Sequence, residues 1–202
     1  MSPEANALIK ALQWPLWFIV MSFIMGALGR SRMKGRAGDA QNVMRPPVAM
    51  LITGGVCIIF FVILAILSQA YPGVDGHGVP LKEANPWFAV FFFGFAALGL
   101  PIVISYYREC HRIGPEELQY RTLTKEGVLW WRGVTKVRYS HAMKWFRLEG
   151  GNGEIVRISV ALTRLPEFAR MALEKIPPAS IDDPTRALLT ATAAGNPPSM
   201  WQ

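Results

Sequence analysis

Charge is absent from two long stretches of this chain. Residues 48–70 (VAMLITGGVCIIFFVILAILSQA) and 87–107 (WFAVFFFGFAALGLPIVISYY) hold 23 and 21 residues without an Asp, Glu, Lys, Arg or His. At about 1.5 Å of rise per residue each spans about 30 Å, the depth of a bilayer's hydrocarbon core. Both predict membrane-spanning helices. Trp87 at one end of the second stretch and Tyr106 and Tyr107 at the other are the amphipathic rings that settle at headgroup level. Pro101 lies inside it, where a kink is tolerable if neighbours satisfy the freed carbonyl. Gly54, Gly55, Gly94 and Gly99 offer sites of close helix approach. The five phenylalanines from Phe88 to Phe95 would then face lipid or a partner helix.

An earlier uncharged run, residues 11–29, is shorter and interrupted by Gln13, Pro15 and Ser22. It either crosses the bilayer as a third helix or lies along its surface as an interfacial one. No Arg-rich leader or small-x-small cleavage site accompanies it, so no cleaved signal peptide is expected.

Past residue 108 the period changes from helical to alternating. Strands are predicted at 109–113, 118–123, 128–131, 135–140, 143–149 and 154–160, with Leu118 and Tyr120 on one face and Phe146 and Leu148 on another. The Gly150-Gly151-Asn152-Gly153 run supplies the positive φ of a hairpin tip. An amphipathic helix follows at 165–176, with a stripe of Phe168, Met171, Ala172 and Leu173, stopped by Pro177-Pro178. A second short helix is predicted in the tail, capped by Asp183, with Pro184 in its first position and Gly195 ending it. The chain thus divides into a helical section (1–107), a small β-rich domain with its helix (108–177) and a tail (178–202).

Charge fixes the orientation. The net charge is +7. Residues 30–46 carry five basic side chains against one acidic, residues 71–86 one against two, and residues 108–202 fourteen against ten. Basic connectors next to apolar spans stay on the cytoplasmic side, so the C-terminal domain is expected there too. This placement also argues against nucleic acid as the partner of the basic excess.

Candidate chemistry is sparse. His77, His111 and His141 have no second histidine at metal-ligand spacing. The glycine-rich run enters a strand, whereas a phosphate loop needs a helix N-terminus behind it. No Ser or Cys stands in a nucleophile-elbow context. Cys57 and Cys110 imply no disulfide framework. No catalytic residue, metal or cofactor is therefore expected. The candidate contacts are basic: Arg121, Arg132, Lys136, Arg138, Lys144 and Arg147, which would make one side of a barrel positive, with Trp201 at the chain's end as a partner contact. Groups of this kind near a leaflet attract anionic headgroups at about 1 kcal/mol each.

The segments GPEELQYRTLTKEGVLWWRGVTKVRYS, MKWFRLEGGNGEIVRISV and LPEFARMALEKI together resemble the bacterial pleckstrin-homology-like domains, many of which are attached to membrane helices. The resemblance covers about residues 106–177. It rests on Trp131 ahead of a short crossing strand with Val134 and Val137, on a glycine-tipped hairpin and on a closing helix. It implies an α+β membrane protein: three helices, or two and one interfacial, then a small antiparallel barrel capped by a helix. Six strands are legible where that barrel has seven, so either one lies within residues 105–112 or the barrel is incomplete. Two roles fit. One is a non-catalytic accessory or scaffolding subunit of the bacterial inner membrane, docked on a larger complex such as a respiratory or photosynthetic assembly. The other is a membrane-tethered module that senses lipid headgroups or a peptide.

Overall fold

The structure, a computed structural model, describes residues 42–70 and 84–199 together with Ser22 and Gly26. The expected helix at 11–29 (apart from those two residues), most of the basic connector, the loop with His77, and Trp201 lie outside the described residues.

Helices α1 (Val48–Ala70) and α2 (Pro86–Arg108) pair as an antiparallel hairpin. Asn85 begins α2 by accepting the Trp87 amide at 3.0 Å, and Pro86 occupies a position where a missing N–H costs nothing. The helix runs through Pro101 to Arg108. Of the four glycines, two make the contact. A Cβ on Gly99 would stand 2.7 Å from Ile58 Cγ1, and one on Gly54 would stand 3.0 Å from Val103 Cγ2, whereas Gly55 and Gly94 face open space. Phe61 extends the seam by stacking between Phe92 and Phe95. Both helices are long and apolar enough to cross a membrane, and little of either is covered by the rest of the molecule. The buried core helix of a soluble domain would pass the first test and fail the second.

The remaining chain is α+β. Strands β2 (Cys110–Ile113), β3 (Glu117–Arg121), β4 (Glu126–Trp130), β5 (Val134–Ser140), β6 (Trp145–Gly150) and β7 (Ile155–Ser159) match the six expected from alternation. A further strand, β1 (Val43–Met44), comes from the basic connector ahead of α1 and pairs antiparallel with β2, Met44 opposite His111. It is not hidden at residues 105–112. The expected single barrel does not close. The strands form two antiparallel sheets, β1-β2-β3-β4 and β5-β6-β7. The 3₁₀ turn Trp131–Gly133 separates β4 from β5, and the β5–β6 register shifts between Val134 and Lys136.

One core fills the space between the sheets. Met44, Leu118, Trp131, Val137, Phe146, Leu148 and Ile158 meet there with Phe168 of α3 (Leu165–Lys175), whose ring contacts both Trp131 and Phe146. The Trp131 indole N–H donates to the Gly114 carbonyl at 3.0 Å, satisfying its only polar atom. Helix α4 (Asp183–Ala193) belongs to the same core through Leu189, and Ile181 bridges to Val137 of β5. Its cap is Asp182, not Asp183: the Asp182 carboxylate accepts the Thr185 amide at 2.8 Å. Gly195, at φ +90°, follows its end in the left-handed region.

Candidate functional site

The strands β1 and β2 place the start of α1 and the end of α2 side by side at one edge of the four-stranded sheet. Met44 precedes Val48 by one short turn of chain, and Cys110 follows Arg108 by two residues. This junction is held by polar contacts. Ser105 Oγ donates to Glu109 Oε2 at 2.7 Å, and His111 Nε2 lies 3.3 Å from Oε1. Burial pushes the Glu109 pKa up, but the hydrogen bonds from His111 and Ser105 and the His111 charge outweigh it, and the carboxyl settles below its usual 4.5. His111 is fully buried and its Nδ1 has no hydrogen-bond partner among the described residues. Serine, carboxylate and imidazole are all present, but the hydroxyl donates to the carboxylate. A serine nucleophile needs that contact with the imidazole. The trio is a tie between helix and sheet. On the other side of the junction, the Arg45 carbonyl accepts from both the amide and the hydroxyl of Thr163, at 2.9 and 3.0 Å.

Above this tie lies a groove of about 410 Å³ between the helix ends and the outer face of the four-stranded sheet. Arg45, Tyr107, Arg108, Arg112, Arg121 and Glu126 line it. Register explains the clustering: Arg112 stands opposite Gln119, two residues before Arg121 on the same face, so the two arginines are diagonal neighbours. Arg121 Nε is 3.6 Å from Glu126 Oε2 in an exposed pair. Among the described residues Arg108 and Arg112 have no ion-pair partner. At the groove's edge the Tyr120 hydroxyl donates to Glu154 on the hairpin of the other sheet. Burial, then this bond and the carboxylate's charge, raise the phenol to about 12.

A second basic surface covers the outer face of β5-β6-β7. Arg138, Arg147 and Arg157 are register partners across the three strands, a row of like charges. Directly opposed like charges destabilise a sheet, and two contacts offset this: Arg147 Nε is 3.0 Å from Glu149 Oε1, and the Arg157 guanidinium lies over the Trp145 ring at 5.3 Å.

The expected basic residues therefore do not share one side. Lys136, Arg138 and Arg147 come together on the three-stranded sheet, with Lys136 opposite Glu149. Arg121 belongs to the other sheet. Arg132 is in the turn after β4, and Lys144 is in the turn before β6 with φ +53°. Sequence reasoning missed Arg157, which alternation within β7 places outward with the row, and it missed Arg45, Arg108 and Arg112, which meet only through the β1–β2 pairing. Among the described residues no group of His, Cys, Asp and Glu could hold a metal. Compared with family models, curated proteins and solved structures, the chain matches none.

Proposed function

We propose that this chain is a non-catalytic accessory subunit of a bacterial inner membrane, in which a helical hairpin holds a pleckstrin-homology-like domain at the cytoplasmic surface and docks on other membrane-protein subunits. The observation that carries this reading is the uncovered aromatic face of α2. Phe88, Phe91 and Phe93 are each more than half exposed, while the hairpin's own packing uses the Gly54–Gly99 seam and Phe61, Phe92 and Phe95. Such a face is open to a further helix or to lipid, and large flat rings on a partner helix would add aromatic contacts that lipid tails do not. Seven strands, Trp131 in the core and Phe168 of α3 between the sheets support the pleckstrin-like reading, with two differences: the strands lie in two sheets without closing a barrel, and the first strand precedes the helical hairpin. The Arg138–Arg147–Arg157 row gives the domain a second docking face for an acidic partner. A respiratory or photosynthetic assembly is a host with many such helices.

A photo-reactive amino acid at Phe93, illuminated in native membranes, tests this. Discrete adducts with one recurring set of proteins are the expected outcome. Adducts with lipid alone would overturn it. A second reading, a tethered sensor of lipid headgroups, is favoured by the arginine groove.

A further inference from the structure

We infer that the groove between the helix ends and the outer face of β2-β3 binds the phosphate of an anionic phospholipid headgroup. The inference rests on α1 and α2 crossing the membrane, as proposed above. Given that, position follows from connectivity. Tyr107 and Arg108 end α2, and Arg45 stands three residues before α1, so these groove residues lie at the depth where a hydrocarbon core gives way to headgroups. Charge follows from the lining: among the described residues it holds Arg45, Arg108, Arg112 and Arg121 with one carboxylate, Glu126, and Arg108 and Arg112 have no ion-pair partner there. Arg112 and Arg121 project from rigid strands as diagonal neighbours, and the planar guanidinium fork matches phosphate oxygens in a way that lysine does not. Tyr107, seven-tenths exposed beside Arg108, offers an aromatic surface at the same level. The lipid's acyl chains would then lie along the exposed flank of α2, next to residues such as Ile104. A soluble phosphate would satisfy the same arginines but would gain nothing from that flank.

The test uses the full chain, released in mild detergent from bilayers of equal phosphatidylcholine and phosphatidylglycerol and weighed intact by native mass spectrometry. The wild type should retain phosphatidylglycerol in preference to phosphatidylcholine. R112Q/R121Q should lower that preference about thirtyfold, R112K/R121K, which keep the charge but lose the fork, should restore only part of it, and R138Q/R147Q should leave it unchanged. Equal retention of the two lipids by the wild type would overturn the assignment, as would loss of preference in R138Q/R147Q alone. Displacement of the retained lipid by inorganic phosphate in modest excess would make the groove a free-anion site and overturn the lipid assignment as well. Alkaline carbonate separates this from the anchoring reading: a chain that carbonate extracts from membranes contradicts the spans, whereas a resistant chain without lipid preference contradicts only the groove.

Discussion

Glu109 shows how much depends on a single side chain at the junction. It follows the last residue of α2, precedes β2, and takes contacts from Ser105 behind it and His111 ahead. Its pKa is lower in the folded chain than in the unfolded one. A depressed carboxyl contributes stability that is present above the unfolded value and lost as pH falls through the folded one. The wild type should therefore lose stability on acidification below about pH 4.5. E109Q should show a flatter profile across that range, and be less stable at neutral pH by about 1–3 kcal/mol, because a charge-assisted contact to buried His111 is gone. Denaturation midpoints of the two proteins at several pH values check both points. Such a role was not legible beforehand. Glu109 and His111 read as ordinary strand residues, and a two-residue spacing says nothing of a serine one helical turn earlier until the helix is known to run into the strand.

At the scale of elements, the helical hairpin offers a paired comparison within one helix. Gly94 and Gly99 look alike in the sequence, and both were candidates for close approach. Only Gly99 faces α1, where an added Cβ would meet Ile58 Cγ1 at 2.7 Å. G99L should force α1 and α2 apart and lower the hairpin's thermal midpoint, at a cost of about 1–3 kcal/mol from overpacking. G94L should be tolerated, since nothing lies within 4 Å of its Cβ position. Thermal unfolding of both variants in the same detergent decides this; equal damage would contradict the packing seam. The strands teach a related lesson. Alternation announces β2 to β7 because each is long enough to show a period. Two residues cannot show one, so β1 was invisible, although Met44 is fully buried in the core. The tail helix reads correctly from Pro184 and Gly195, yet its cap lies one residue earlier than expected because Asp182, not Asp183, has the extended backbone that lets its carboxylate reach Thr185.

For the whole molecule, the β1–β2 pairing constrains topology. The residues ahead of α1 are stitched into the same sheet that α2 enters, so the two ends of the hairpin must lie on one side of any membrane it crosses. Charge leads independently to the same arrangement, since residues 30–46 and 108–202 are both net basic. With Cys57 and Cys110 replaced, single cysteines at Asn42 and Asn152 should both react with an impermeant maleimide from the same side of sealed membrane vesicles. Labelling from opposite sides would break the pairing, the hairpin or both.

The amino-acid sequence by itself determined which segments are helices of membrane length, where six strands run, and that Phe146 and Phe168 lie on apolar faces. These are local matters of charge, period and turn chemistry, readable within a window of about ten to twenty residues. Only the tertiary structure decided that the strands part into two sheets, that a two-residue strand from before the hairpin completes one of them, and that Arg45, Arg108, Arg112 and Arg121 share a groove. The physical reason is one of distance along the chain: Met44 and His111 are paired by backbone hydrogen bonding and burial across the whole length of the hairpin. No local pattern records a partner that far away.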